Sequence, residues 1–331
     1  MRVGLDVYTI HSLKLDPFQT LDYAKKHQLE GVQFGGLRGF SSTLDPGRLK
    51  EIRTYADDLA LYSHVSVSTC NPYLIREPLE DHLESLKQEI EAAAACGWHE
   101  LHSSLGGLEQ RYEHPVRWTQ HLADASDLIR KLGPVLRQHK SRINLETHGD
   151  TTTFELVRLV EDLGPNIAGI CLDTANVLCH AEDPVLAARR AAPYTHLTHT
   201  KDAIMYFINT GYRRQTLPPG RGALDWKTIL PILAEYSPDL PISIEDHKML
   251  FDFHVFDPHW LSLHPDLTRE ELARVIQMVW KCQRLIYSGG LPDPEESEKI
   301  PHTEELEERL HAGRGYLKKM ISRLGLDRQG D

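Results

Sequence analysis

The chain has 331 residues, 40% of them hydrophobic and 26% charged, with a formal net charge of −11. That composition belongs to a globular protein, and its acidic balance disfavours a nucleic-acid partner, which calls for a basic face. No apolar run reaches the roughly 18 residues of a membrane span, no charged-then-apolar leader precedes the first apolar run, and Cys70, Cys96, Cys171, Cys179 and Cys282 contain no Cys-x-x-Cys pair. The expectation is a cytoplasmic protein, without membrane contact, whose thiols are reduced and packed in the core.

In chain order, eight short β-rich runs recur: Val3–Val7, Gly31–Phe34, Ser63–Ser68, Glu100–Ser104, Ile143–Glu146, Ala168–Asp173, His196–His199 and Ile242–Glu245. Helical patterns separate them. Leu49, Ile52, Ala56 and Leu59 repeat at helical spacing, as do Leu83, Leu86, Ile90 and Ala94 ahead of Gly97, a residue suited to a helix C-terminus. Asp16-Pro17, Asp45-Pro46 and Asp183-Pro184 each place a capping carboxylate before a first-turn proline. Thr152-x-x-Glu155 and Thr268-x-x-Glu271 read as capping boxes. Ala168-Gly-Ile-Cys-Leu172 is apolar without alternation, as a strand buried on both faces should be. Eight repeats of strand and helix predict a (β/α)₈ TIM barrel over residues 1–288. Residues 289–331 are then a C-terminal helical extension, with a charged helix over about residues 303–324. Residues 203–224 and 246–268 lengthen the connections after the seventh and eighth strands. Long segments at that end of a barrel cover or shape the site.

Four runs end in a residue able to bind a metal: Glu146, Asp173, His199 and Glu245, spaced 27, 26 and 46 residues apart. A βα unit takes roughly 30 residues, so consecutive strands bring all four to one mouth of the barrel. Three carboxylates and one imidazole form an oxygen-rich set suited to one divalent cation, Mn²⁺ foremost, with Mg²⁺, Co²⁺ or Zn²⁺ as alternatives.

Leu145-Glu-Thr-His148, Leu172-Asp-Thr-Ala-Asn176, Thr198-His-Thr-Lys-Asp202, Pro219-Gly-Arg-Gly-Ala-Leu-Asp-Trp226 and Ile242-Ser-Ile-Glu245 together resemble the sugar isomerase and epimerase superfamily with the xylose-isomerase-like barrel. Among its members are tagatose 3-epimerase, inosose dehydratase and the catalytic subunits of C-glycoside deglycosidases. The resemblance implies that Glu146, Asp173, His199 and Glu245 hold one metal and that Glu146 and Glu245 also move protons. The chemistry is consistent. A cation chelated by a carbonyl and its neighbouring hydroxyl acidifies the adjacent C–H, one carboxylate takes the proton, and the other returns it through an enediolate. Where the family has Asp-x-x-His, this chain has Asp173-Thr-Ala-Asn176. Asn176 is a poor ligand, so a second metal is not expected. The related DNA-repair endonucleases need several metals and more histidines than stand here.

His148, two residues past Glu146, is a third catalytic candidate. His102, Asn176, Lys201, Arg221 and Trp260 are candidates for substrate contact. Arg213 and Arg214 compete with Arg221 for the place of the family's arginine after the seventh strand, and Tyr8 and Phe34 are further candidates for the pocket wall. Trp260 is expected in a lid over the mouth, with an oligomer contact as the other role for its segment. The leading expectation is a metal-dependent isomerase or epimerase of a small sugar, keto-sugar or cyclitol. The first alternative is a lyase using the same residues, acting on 3-oxo-glycosides or in the manner of an inosose dehydratase. A sugar-binding protein without turnover is the rival from outside catalysis. A homo-oligomer is expected, or, for the C-glycoside lyase, a complex with a small β-sandwich subunit.

Overall fold

The strands of this chain are four to seven residues long, too short to be stable alone, and eight of them close into a ring. The computed structural model describes residues 1–327, so the last four residues of the expected C-terminal extension lie outside the described residues. In chain order the strands are β1 (Arg2–Asp6), β2 (Gly31–Gly36), β3 (Tyr62–Ser66), β4 (Glu100–Ser103), β5 (Arg142–Glu146), β6 (Ala168–Asp173), β7 (Thr195–Thr200), β8 (Asp202–Ile208), β9 (Gly211–Leu217), β10 (Pro241–Ile244) and β11 (Leu250–Phe253). β1 to β7 and β10 form a closed barrel in the order β1-β10-β7-β6-β5-β4-β3-β2, all parallel. This is the (β/α)₈ barrel that the eight β-rich runs predict. All six residues of β6 are buried, the pattern expected when helices cover one face of a strand and the barrel interior the other.

The helices begin where local chemistry dictates. Asp16, Asp45 and Asp183 accept backbone N–H groups of the helices Pro17–Lys26, Pro46–Asp58 and Pro184–Ala191, and Thr152 forms a reciprocal cap with Glu155. At the base of the barrel the Tyr62 ring fills the interior. Its hydroxyl lies 3.0 Å from Ser243 Oγ. A methyl group on Gly4 or on Gly31 would occupy the same space as the ring.

The connection after β7 is no loop. β8 and β9 form an antiparallel hairpin around Asn209 and Thr210, and β11 adds to β9, giving a separate three-stranded sheet. Because a single residue separates the end of β7 from the start of β8, Lys201 is the corner between barrel and hairpin. The helix His302–Arg323 then packs back along the barrel, burying Leu306, Leu310, Leu317 and Ile321. All five cysteines are unbridged. Among the described residues no helix is long and apolar enough to cross a membrane.

Candidate metal and catalytic site

The C-terminal ends of β5, β6, β7 and β10 aim four side chains at one point. Ligand atoms of Glu146, Asp173, His199 and Glu245 all lie within 4.8 Å of one another, and all four residues are buried. Atoms bound at about 2.0–2.3 Å around one ion stand at most roughly 4.6 Å apart, so the set needs only a slight closure to surround one.

His199 is the hub. Its Nδ1 lies 3.0 Å from Glu146 Oε1 and 2.8 Å from Glu245 Oε2. Its Nε2 lies 3.4 Å from Asp6 Oδ2 and 2.6 Å from the side-chain amide of Gln33. The Gln33 Oε1 is buried without a partner. Turning that amide end for end, a matter of assignment in any structure without visible hydrogens, lets the oxygen accept the Nε2 proton. Nδ1 is then the nitrogen left to face the carboxylates. Asp6 and Gln33, at the ends of β1 and β2, thus orient the imidazole.

The other members are equally tied. Asp173 accepts the backbone N–H groups of Ala175 and Asn176 at 3.0 and 2.9 Å and the Asn176 side-chain amide at 2.8 Å. Lys201 Nζ, buried at the corner of β7, lies 2.7 Å from Asp173 Oδ2 and 2.9 Å from Glu245 Oε2. Glu245 Oε2 is close to His199 and Lys201 yet accepts a well-aligned hydrogen bond from neither. His102 Nε2 lies 2.9 Å from Glu146 Oε2, and its Nδ1 lies 2.9 Å from Ser66 Oγ. Three carboxylates meet at the cluster and one ammonium, that of Lys201, is paired with them, so acidic groups outnumber the fixed cation there. That excess and the unaligned oxygen fit one small divalent cation with oxygen and nitrogen ligands.

Burial alone would raise the Glu146 pKa, but His199, His148 and the hydrogen bond from His102 outweigh it and hold the carboxyl well below 4.5. Burial likewise opposes a charged His199, while Cys171, Glu146, Glu245 and Asp6 raise it well above 6.5. Asp173 is shifted upward, first by burial.

Beside the cluster opens a cavity of about 360 Å³, lined by Tyr8, Leu108, His148, Asn176, Lys201, Arg214, Glu245, His247, Met249 and Phe251 among others. His148 faces it, with Nδ1 2.7 Å from the Gly106 carbonyl. The Glu146 charge raises its pKa above 6.5. Lys201 and Asn176 are therefore at the cavity, and His102 reaches the cluster through Glu146.

Two expected contacts are corrected. Arg221 does not reach the site. It follows the turn at Gly220, with φ of +86°, and forms an exposed ion pair with Glu308. Arg214 takes the inner place, donating from Nη1 to Asn176 Oδ1 and the Ala175 carbonyl, both at 2.9 Å. Trp260 does not line the cavity. It is buried and stacked on His264 at 3.8 Å between ring centroids, beside Tyr112 and His180. Phe251 and Met249, earlier in the same segment, stand at the cavity instead. Phe34 lies in a neighbouring apolar cavity of about 290 Å³ with Val7, Ile10 and Phe40.

A closed parallel barrel with strand-end carboxylates converging on one imidazole defines a class of enzyme-bearing folds. The chain belongs to the xylose isomerase-like TIM barrel family, whose family model matches residues 21–278. It is 25% identical over 244 residues to the uncharacterized protein YihM of Escherichia coli (strain K12), covering 72% of this chain and 69% of that one. It is 25% identical over 150 residues to an inosose dehydratase of Clostridium tetani (strain Massachusetts / E88), covering 40% of this chain and half of that protein. Among solved structures, a D-psicose 3-epimerase with D-tagatose from Clostridium cellulolyticum H10 superposes with a TM-score of 0.61 at 15% identity, covering 86% of this chain and 99% of the other. The IOLI protein with a bound zinc atom superposes at 0.55 and 16% identity, covering 85% and 99%. Sugar epimerases and dehydratases are thus the neighbours of this fold, and its candidate ligand set is of the kind that takes a divalent metal.

Proposed function

We propose that this protein is a divalent-metal-dependent epimerase or isomerase of a small keto-sugar or cyclitol, with Mn²⁺ the best-suited cation. The observation that carries the reading is the convergence of Glu146, Asp173, His199 and Glu245 within 4.8 Å beside an open cavity. Those four residues would hold the cation. When bound, it supplies Lewis-acid polarisation of a carbonyl and its neighbouring hydroxyl, which acidifies the C–H between them. Glu146 and Glu245 approach from opposite ends of the β5-β6-β7-β10 arc. Glu146, held in its base form by the surrounding imidazoles, takes the proton from one face of the sugar carbon, and Glu245 returns one to the other face. Asp173, fixed by three N–H donors, stays a ligand throughout. Lys201, Asn176 and His148 bind substrate oxygens at the cavity.

Incubation with Mn²⁺ in D₂O against a panel of keto-sugars and cyclitols is the test. Deuterium at the carbon next to the carbonyl supports the reading. Metal-loaded protein that binds a sugar yet neither exchanges a proton nor releases a product refutes turnover and leaves a binding protein.

The apolar residues of the cavity lining favour a second reading. Tyr8, Leu108, Met249 and Phe251 are among its lining residues, apolar surface that a bare monosaccharide does not need and an aglycone does. The same carbanion chemistry with a leaving group on the next carbon eliminates that group, making the enzyme a lyase of 3-oxo-glycosides. An inosose-dehydratase-like lyase would instead expel water. Release of an aglycone from such substrates, without deuterium in recovered substrate, decides for elimination.

A further inference from the structure

β10 stops pairing one residue too early to fix the end of the site. Its ladder to β1 closes at Leu5 and Ile244, and its ladder to β7 at Ile244 and Thr200. Glu245 stands beyond the sheet, its N–H reaching the Thr200 carbonyl only at 3.4 Å. The next residue supplies the anchor. Asp246 donates its N–H to Thr9 Oγ1 at 2.9 Å, and its side chain, fully buried, accepts both arms of Arg309 at 2.7 Å each. Arg309 also reaches the Thr216 carbonyl at 3.3 Å. Two residues further on, Lys248 donates to the carbonyls of Ser297 and Ile300 at 2.6 and 2.8 Å and pairs with Glu305 at 2.5 Å. Apart from Thr9 and Thr216, every one of these ties comes from residues 297–309, outside the eight βα units.

We propose that Arg309 is a positioning residue for Glu245, and that the C-terminal segment is a strap completing the metal and proton-transfer site. The inference rests on reading Glu245 as a ligand and proton carrier. A buried ion pair adds little net stability over apolar residues of the same size. The planar fork of an arginine, held on two carboxylate oxygens, fixes direction in a way a lysine does not. What it fixes here is the backbone leaving Glu245. Partners that orient a ligand in this way are typically worth about 10–100-fold in metal affinity.

The experiment is Mn²⁺ titration calorimetry on the full, metal-stripped chain, with melting temperatures measured on the same samples. Arg309→Met should bind Mn²⁺ about 10–100-fold more weakly than the parent, and Arg309→Lys should recover part of the loss. A purely structural role would lower the melting temperature and leave affinity intact. Parent-like affinity in Arg309→Met, alongside weakened binding in Glu245→Gln, overturns the strap and leaves the site standing. Parent-like affinity in Glu245→Gln overturns the site reading and the strap with it. If Arg309→Met fails to fold, Lys248→Met, which frees the same segment at its other tie, decides: weaker Mn²⁺ binding supports the strap, and unchanged binding overturns it.

Discussion

Lys201→Met asks whether one ammonium is what lets three carboxylates share a buried pocket. Lys201 Nζ stands 2.7 and 2.9 Å from Asp173 and Glu245, and all three side chains are buried. At an effective dielectric near 20 a unit pair at this distance attracts by roughly 6 kcal/mol. Desolvation of the ammonium takes back much of that, and breaking a buried pair typically costs about 3–5 kcal/mol. The carboxylates left behind can take up a proton, which places the loss at the low end, about 3 kcal/mol. With an unfolding entropy of about 2.1 cal/mol/K per residue, 331 residues give roughly 0.7 kcal/mol/K, so the metal-free variant should melt about 4–5 °C lower. The pH dependence has a fixed sign. The Asp173 pKa is already raised, by burial above all, and losing Lys201 raises it further, so the deficit shrinks as pH falls. Mn²⁺ meets a larger excess of carboxylate over cation in the variant than in the parent, so it should raise the melting temperature more in the variant. Thermal melts with chelator and with Mn²⁺, at neutral and at mildly acidic pH, provide the readout. A metal-free variant melting within about 1 °C of the parent at every pH, or equal Mn²⁺ shifts in both proteins, refutes the charge argument.

Glu146→Gln and Glu245→Gln should each lower turnover by about 10²–10⁴-fold, with metal content measured on the assayed samples. Parent-like rates in fully metallated variants would remove the two-carboxylate mechanism. Burial, only partly offset by His148, raises Asp150 from 3.8 to about 6. Its contribution to stability is therefore complete below the unfolded value and lost as pH rises through about 6, so Asp150→Asn should be more stable than the parent by about 2–3 kcal/mol at alkaline pH and equal to it near pH 4. Denaturant curves with no pH trend in that difference would count against it. Trp260→Ala should cost about 3–5 kcal/mol through the emptied contact with His264 while leaving KM unchanged. A shifted KM without a lower melting temperature would return Trp260 to the mouth of the barrel.

The barrel is legible in the sequence because parallel strands covered on both faces leave apolar runs, and because most runs here are followed by a helix start marked by an aspartate, proline or threonine. The four strand-end residues are legible because a repeating unit fixes which end of the barrel they share. Gln33 and Asp6 are not. They meet His199 only because the ring closes, and no local pattern links positions 33 and 199. The one available hint is a glutamine inside the apolar run Val32-Gln33-Phe34, a polar group that burial obliges to find a partner. The hairpin of β8 and β9 carried a readable sign in Asn209-Thr210-Gly211, a turn between two β-rich runs. Arg221 misleads because it sits in a family motif, whereas its side chain ends in an exposed ion pair with Glu308. Trp260 misleads because an aromatic in a long connection packs a segment down as readily as it covers a ligand.

Tyr62, Gly4 and Gly31 behave as a single inherited unit. The ring occupies the space that any side chain at either glycine would need, so neither glycine can change while the tyrosine stays. The tyrosine cannot shrink without opening a void between β1, β2 and β3. Replacement must pass through paired changes, a smaller ring together with a larger neighbour, and single-site libraries will report all three positions as immutable. A designer reshaping the mouth for a new substrate can treat this plug as the fixed datum of the barrel, and should vary its three positions jointly or not at all.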